Sequence, residues 1–486
     1  MQNRNSTGNA PPSPVRRRGS DVDRLTGPDR IGFGAGDLAQ NLVYTAVGSY
    51  LLFFYTDVVG LAPVVAATLF FVVQLADAFL NPFVGVFLDR HNPPWGKYRS
   101  YLLLAGIPLA IFTVLCFLSP FDSFGVAWKA LYAYAAYAGF TLLFTFANIA
   151  YGALNASLSR DTGEITRLTA VRIFMANAGC LAAMAGVPLL VAAFAGEVEP
   201  PVRMALFMGF GMLPSFVFMP FLPAFRRFFG KKKLFFVFMS VAVAGMAALY
   251  VLSRLWRVAD HPGLVYAAQF VKASGIIVAT GFMWTFVPEV ITYSEHRTGR
   301  RISGIVNAVM GVFFRLGMAF GKIVSGLVLA GTGYRAAGEG KVSLPTEPRA
   351  WLLTMAGLAA VAVALLVFSF TRTKERVVMD AAATDRVTVA DLGREFRRNA
   401  PLRILALFFV AAFAMMSVGN AAGVYFMNGL ETQSPPAREG IRWLVCVIPA
   451  LLGVIAAAVI ARYPLTDALV DRLNREIEEK GMKSPN

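Results

Sequence analysis

The chain has 486 residues, of which 57% are hydrophobic and 15% are charged, and its formal net charge is +16. Soluble domains have about 45–50% apolar and about 25% charged residues, so this composition excludes an ordinary soluble domain and indicates a membrane protein. A chain this basic could bind nucleic acid, but the distribution of its basic residues argues against that partner.

Apolar runs long enough to cross a bilayer recur along the whole chain. The hydrocarbon core of a bilayer takes about 20 apolar residues of helix, and continuous runs favour helices over the alternating strands of a barrel. Twelve runs are predicted as transmembrane helices, at residues 33–56, 63–88, 101–119, 129–157, 169–196, 204–225, 234–253, 263–292, 303–330, 350–370, 403–427 and 441–463. The predicted fold class is therefore an all-α membrane protein.

The loops between these runs differ in charge. If residues 1–30 lie in the cytoplasm and the chain changes sides at each run, the cytoplasmic loops carry most of the loop Lys and Arg residues. This is the positive-inside bias of multi-span proteins, and it predicts that both termini are cytoplasmic. Residues 1–30 are polar and lack an apolar core, which predicts a disordered tail rather than a secretory signal.

Sequence signals for other functional classes are missing. No segment fits G-x-x-x-x-G-K-[ST], which argues against an ATP-driven pump and favours secondary transport. Cys116, Cys180 and Cys446 lie within apolar runs without the spacing of a metal site or a disulfide framework. We therefore predict no metal site, no cofactor beyond a coupling ion, and no enzymatic activity.

A basic loop joins the second and third predicted helices. Its sequence, GVFLDRHNPPWGKYR from residue 85 to 99, resembles the Gly-x-x-x-Asp-Arg loop of the major facilitator superfamily. In that superfamily the glycine permits close approach of helices, and the acidic and basic residues form a breakable cytoplasmic latch. The resemblance implies a latch of five residues: Gly85, Asp89, Arg90, Lys97 and Arg99. An ordinary basic loop is the alternative.

Further motifs narrow the resemblance to one family. LADAFLNPFVG (75–85), TFANIAYGAL (145–154), TGRRISGIVNAVMGVFFRLG (298–317) and TKERVV (373–378) together are similar to the glycoside–pentoside–hexuronide:cation symporters, the family of melibiose permease. The resemblance covers most of residues 30–467. It implies a major-facilitator fold of twelve helices in two six-helix halves, and import of a sugar or glycoside with a cation.

The order of the segments departs from that family. In this chain, the segments that resemble the family's sixth and seventh helices follow the segment that resembles its eighth to eleventh helices. Relative to the family, the blocks 202–349 and 350–435 are therefore exchanged, and all three joints lie in predicted outside loops. Each block holds an even number of helices, so every helix keeps its orientation. The predicted segments are a tail (1–30), helices 1–5 of the N-terminal half (31–200), four helices of the C-terminal half (201–349), the sixth helix (350–371), a cytoplasmic linker (372–401), two helices of the C-terminal half (402–465) and a cytoplasmic tail (466–486).

The resemblance also implies a cation site. Asp77 lies near the centre of the second predicted helix, where an ionised group costs about 2.5–3.5 kcal/mol, so we expect it to face the interior with a partner. The matching Asp in the family is one of two carboxylates that bind Na⁺ or H⁺. The second carboxylate falls at Asn81, one helical turn on, and Thr145 matches the hydroxyl that completes the site. Loss of one anionic ligand predicts weak Na⁺ binding and coupling to H⁺; a purely structural role is the alternative for Asp77.

A basic residue is expected beside this site. Arg315 lies in the middle of a later predicted helix, at a position where the family usually has a Lys, and Lys322 lies seven residues on. Because arginine stays ionised at any accessible pH, we expect Arg315 to pair with Asp77 across the cavity. Proton binding would then require the pair to separate during the cycle. Lys322 either shares this environment or extends its ammonium group to solvent.

Substrate contacts are implied on the first, fourth and fifth helices. Gln40 and Asn41 match a Lys–Asp pair, Asn148 matches a second sugar-binding Asp, and Arg172 matches an Arg that bonds the sugar. Amides both donate and accept hydrogen bonds, which suits hydroxyl-rich ligands; polar contacts between helices are the alternative.

A sugar site usually includes an aromatic ring as well. The matching Trp of melibiose permease is Gly152 here, so Tyr151, Trp284 and Tyr293 are the candidates to replace it. We assign Tyr151 to the substrate site and expect Arg315 to connect that site with the cation site.

The predicted protein is a monomeric secondary active transporter of the cell inner membrane. It imports a sugar or glycoside with a cation, with H⁺ favoured over Na⁺, by alternating access. Its partners are a small-molecule substrate and the lipid bilayer, and nucleic acid is not among them. A lysolipid or amphiphile carrier of the same superfamily and a non-transporting ligand sensor are the alternatives.

Overall fold

A computed structural model of the chain describes most of its residues. The described residues are 25–91, 93–119, 125–158, 162–196, 199–258, 260–281, 283–298, 303–335, 344–373, 389–430 and 433–482. Most of the predicted tail 1–30, the first half of the linker 372–401 and the last residues of the tail 466–486 lie outside them.

The regular secondary structure of the described residues is helical. The helices before residue 230 are α1 (Gly27–Phe53), α2 (Pro63–Arg90), α3 (Tyr101–Leu104), α4 (Gly106–Cys116), α5 (Val126–Leu158), α6 (Thr162–Ala195), α7 (Glu199–Phe218) and α8 (Leu222–Phe229). The later helices are α9 (Lys231–Leu255), α10 (Pro262–Gly281), α11 (Phe286–Thr298), α12 (Ser303–Gly331), α13 (Pro348–Arg372), α14 (Val389–Arg398), α15 (Ala400–Gly429), α16 (Pro435–Arg442), α17 (Ile448–Ala461) and α18 (Asp467–Met482).

The number of candidate membrane helices agrees in part with the twelve that the sequence predicts. Ten stretches of the described chain are long and apolar enough to cross a membrane, and Tyr101–Cys116 is a shorter apolar helix. The helix α1 has 27 residues but is not one of the ten; it contains the polar residues Asp37, Gln40 and Asn41. The protein is therefore an all-α chain with at least ten candidate spans.

The first helix begins earlier than predicted. Thr26 accepts a hydrogen bond from the backbone N–H of Asp29, and the Asp29 carboxylate accepts one from the backbone N–H of Thr26. This capping box, with Pro28 in the first turn, starts α1 at Gly27. The helix therefore begins six residues before the predicted run 33–56, because the capping signal lies outside that apolar run.

Helices that are distant in the sequence pack side by side. The helix α13 packs against α1, α4 and α6, whereas α15 packs against α12 and α17. The helix α13, which resembles the family's sixth helix, thus contacts helices of the N-terminal half. The helix α15, which resembles the seventh, contacts helices of the C-terminal half. The central contact between the two sets runs from α2 to α12.

Glycines on α12 permit two of these close contacts. A Cβ atom added at Gly317 would lie 2.8 Å from the carbonyl oxygen of Val410 on α15, and one at Gly326 would lie 2.7 Å from that of Pro63 on α2. Because small residues let helix backbones approach closely in a membrane, α12 can pack tightly between α2 and α15. It thereby carries Arg315 to the middle of the bundle.

Candidate transport site

Asp77 lies where three helices meet. It is 3% exposed on α2 and forms an ion pair with Arg315 of α12, which is 6% exposed. Thr145 of α5 donates from Oγ1 to Asp77 Oδ1 at 2.6 Å and accepts from Arg315 Nη2 at 2.9 Å. The hydroxyl therefore bridges the acid and the base. The predicted pairing of Asp77 with Arg315 is confirmed.

Asn81 completes the surroundings of the guanidinium group. With its amide oxygen turned toward Arg315, Asn81 accepts hydrogen bonds from Nε and, at 3.1 Å, from Nη2. The oxygen partners of Arg315 therefore come from Asp77, Asn81 and Thr145, which lie on α2 and α5. In the described part of the chain, no group of three or more His, Cys, Asp or Glu residues is placed to hold a metal ion.

Lys322 lies about two helical turns beyond Arg315 on α12 and is 3% exposed. Its ammonium group donates a hydrogen bond to the Gly48 carbonyl of α1 and lies 4.9 Å from the centroid of the Phe70 ring. A carbonyl dipole and an aromatic face both stabilise a buried cation. The possibility that Lys322 extends to solvent is therefore wrong for this conformation.

The predicted substrate residues on α1 and α6 are connected to each other. Arg172 Nε donates to Asp37 Oδ2 at 3.0 Å, and Asn41 Nδ2 donates to the Asp37 carbonyl at 2.9 Å. Asn41 Oδ1 faces the Cys180 thiol at 3.8 Å. Asn148 of α5 is half-buried and makes no hydrogen bond to another described residue, so its amide is available to a ligand.

Two predicted substrate residues are closed off. Tyr151 is fully buried, its hydroxyl donates to the Phe33 carbonyl, and its ring stacks on Phe33 with the centroids 4.8 Å apart. The Arg172 guanidinium lies over the same ring, 5.2 Å from its centroid. The Tyr151 ring is therefore closed to a ligand in this conformation, and its assignment to sugar contact stays a prediction. Gln40 is also buried, and neither of its amide atoms has a hydrogen-bond partner.

Another aromatic candidate is accessible. Trp284, in the short 3₁₀ turn between α10 and α11, is 48% exposed and lines a cavity of about 530 Å³ together with Arg226 and Glu289. Of the three candidate rings, Trp284 is therefore the most exposed.

The latch residues are described in part. Arg99 Nε donates to the Phe370 carbonyl of α13 at 2.8 Å, and its guanidinium lies over the Phe370 ring at 4.0 Å. Lys97 lies 5.3 Å from the ring centroid of its neighbour Tyr98. Gly85 is half-buried, and the side chains of Asp89 and Arg90 lie outside the described residues. Arg99 thus attaches the loop to α13, and the latch itself stays a prediction.

A polar cluster at the end of the first helix was not predicted. Asp57 lies in a π-helical turn after α1 and accepts hydrogen bonds from Tyr334 (2.7 Å) and Thr56 (2.6 Å). Thr56 in turn shares a hydrogen bond with Tyr425 of α15 at 2.9 Å. The cluster joins α1 to α15 and to the segment after α12. Its signal in the sequence is an acidic residue directly after a membrane run.

Comparison with known proteins decides the family. The family of MFS/sugar transport proteins matches residues 32–205, 198–347 and 339–430. The chain belongs to this family. The boundaries between the matched segments fall close to the predicted joints of the exchanged blocks.

Three relatives give the comparison more detail. The uncharacterized symporter YnaJ of Bacillus subtilis is 32% identical, over 65% of this chain and 85% of its own. The inner membrane symporter YicJ of Escherichia coli is 25% identical, over 64% of this chain and 84% of its own. The isoprimeverose transporter of Lactiplantibacillus pentosus is 38% identical, over 35% of each chain. These similarities support a multi-pass membrane transporter related to the sugar symporters.

Proposed function

We propose that the protein imports a sugar or glycoside together with a proton by alternating access. The observation that carries this proposal is the buried set of Asp77, Thr145 and Arg315, which connects α2 and α5 with α12. An intramembrane acid paired with a base is costly to maintain, and such pairs are typical of ion pathways in transporters.

The composition of this set favours H⁺ over Na⁺. A Na⁺ ion needs several oxygen ligands, preferably anionic ones, whereas here one carboxylate is held by a guanidinium and the next position is the amide Asn81. A proton needs a single carboxylate. When a proton binds Asp77, Arg315 can keep Asn81 and Thr145 as partners while the ion pair is lost. Protonation thereby weakens the contact between α2 and α12.

The helices are proposed to form a twelve-span bundle in two halves. Ten spans are the described stretches that are long and apolar enough to cross a membrane, and α1 and the pair α3–α4 supply the remaining two. One half contains α1, α2, α4, α5, α6 and α13, and the other contains the remaining membrane helices. The Asp57 cluster and the tight approach of Gly326 to α2 would close one side of the cavity. The opposite side, with the basic loops, would face the cytoplasm of the inner membrane.

Substrate binding is proposed to involve Asn148, Asn41 and the Asp37–Arg172 pair. Asn148 is the most direct candidate, because its amide is partly exposed and unpaired among the described residues. The similarity to an isoprimeverose transporter makes isoprimeverose the first choice among test substrates.

An uptake screen tests the proposal. The purified protein in proteoliposomes is given radiolabelled sugars, including isoprimeverose, with a pH gradient and a Na⁺ gradient imposed separately. Accumulation driven by the pH gradient alone is the expected result. Accumulation that requires Na⁺ would contradict the choice of ion, and binding without counterflow would favour a sensor.

A further inference from the structure

The arginine cleft is a basic surface site that transport does not explain. It is a cleft of about 490 Å³ lined by Gly393, Arg394, Arg397 and Arg398 of α14. The three arginines are exposed, and Arg397 and Arg398 follow Arg394 by three and four residues, so all three lie on one face of the helix.

The helix that carries this cleft is docked rather than loose. Phe396 stacks on Phe313 of α12, with ring centroids 5.0 Å apart. Glu395 accepts hydrogen bonds from Ser294 at 2.7 Å and from Asn399 at 3.0 Å. Because the inward face is fixed by these contacts, the arginine face has a defined outward direction.

Two further arginines donate hydrogen bonds to the last backbone carbonyls of α14. Arg297 donates to the carbonyl of Arg398 at 2.7 Å, and Arg403 donates to the carbonyl of Arg397 at 3.3 Å. Because these carbonyl oxygens already accept hydrogen bonds from Arg297 and Arg403, their partial negative charge does not offset the positive charge of the cleft. Among the described residues, Arg397 and Arg398 form no ion pair with a carboxylate. Like charges at neighbouring positions of one helix face repel each other, so an anion between them would be stabilising.

The cleft lies next to the start of a candidate membrane span. Arg398 is the last residue of α14, and the extended residue Asn399 alone separates it from Ala400, the first residue of α15. Phospholipid phosphates are abundant anions at the end of a span, and basic clusters next to a span attract them. Arginine forks bind phosphate oxygens in pairs.

We propose that the arginine cleft binds the phosphate of an acidic phospholipid in the leaflet where α15 begins. The bound lipid would hold α14 against the membrane. This proposal does not depend on the identity of the transported substrate or ion.

Lipid binding to the full chain tests the proposal. The purified protein is titrated with phosphatidylglycerol or phosphatidylcholine in detergent, and bound lipid is counted by native mass spectrometry. We expect selection of phosphatidylglycerol, and an affinity loss of about 30-fold in R397Q/R398Q, since each charge near an anionic surface counts about fivefold. R397K/R398K should lose less, because lysine keeps the charge without the fork.

The matched control is R472Q/R475Q, which removes two exposed arginines from α18. It should bind phosphatidylglycerol like the unmodified protein. An equal loss in both double variants, or no selection over phosphatidylcholine, would overturn the proposal. Displacement of phosphatidylglycerol by millimolar inorganic phosphate would show a site for the free anion and would equally overturn it. Thermal unfolding of each variant checks that the fold is retained.

Discussion

Asp77 and Glu289 are both buried carboxylates with basic partners, but they join different parts of the molecule. Glu289 of α11 pairs with Lys231 of α9 at 2.8 Å and with Arg226 of α8 at 3.7 Å. The Tyr463 hydroxyl, just past α17, also donates to it at 3.4 Å. All of these helices resemble one half of the family fold. The Asp77 set instead connects α2 and α5 with α12, across the two proposed halves.

This difference distinguishes a structural ion pair, which stays formed, from an ion pair that can break and reform during transport. A pair inside one half need not break when the halves move, so the Glu289 set can stay closed through a transport cycle. A pair across the halves must be remade as they move, and a proton on Asp77 would remove its attraction for Arg315. We therefore expect mutations in the two sets to affect different measurements.

Asp77→Asn should have the largest effect on transport. The amide cannot take up a proton, so accumulation of substrate against its gradient should be lost, while downhill exchange of substrate continues. The measurement is uptake into proteoliposomes with and without an imposed pH gradient. Glu289→Gln serves as the comparison and should still accumulate substrate. Loss of gradient-driven accumulation in both variants would remove the distinction between the two sets.

Glu289→Gln should have the largest effect on stability. It removes the carboxylate that pairs with the buried Lys231, and breaking such a pair costs about 3–5 kcal/mol. Thermal and denaturant unfolding in detergent measure the loss. Combining it with Lys231→Gln should recover part of the free energy of unfolding, because the uncompensated charge is then gone. A double variant as unstable as the sum of the single variants would contradict this explanation.

Individual residues show which contacts could be predicted from the sequence and which could not. The Asp77–Arg315 pair was predictable, because two charges inside membrane runs have few partners other than each other. The burial of Tyr151 was not, because its stacking on Phe33 depends on how α5 meets α1. The position of Lys322 under the Gly48 carbonyl likewise depends on the packing of α12 against α1. The helix α14 was missed because its polar sequence matches no membrane run.

Thr145→Val should have a smaller effect. It removes the hydroxyl that bridges Asp77 and Arg315, and a buried group left without its partner costs about 1–3 kcal/mol. Thr145→Ser should restore most of the uptake rate. Thr141→Val is a matched control on the same helix, because the Thr141 hydroxyl donates to the Tyr137 carbonyl of its own helix. A greater loss of uptake in the Thr141 variant would contradict the assigned role of Thr145.

Restoring the family's segment order should have the smallest effect. The cuts are placed between helices, so that a gene with residues 347–433 before 198–346 keeps every helix and changes only three loop connections. Because exposed loops tolerate new connections, the rearranged chain should fold and transport like the original. The comparison is made by thermal unfolding and uptake in the same membranes. Failure to fold would show that the connections themselves determine the packing of α13 and α15.

Substrate-induced proton movement tests the central claim most directly. Proteoliposomes with a pH-sensitive dye inside receive a transported sugar without any imposed gradient. Internal acidification should follow sugar entry in the unmodified protein and in Glu289→Gln, and should be missing in Asp77→Asn although sugar still enters. Acidification that persists in Asp77→Asn would contradict proton coupling through this carboxylate.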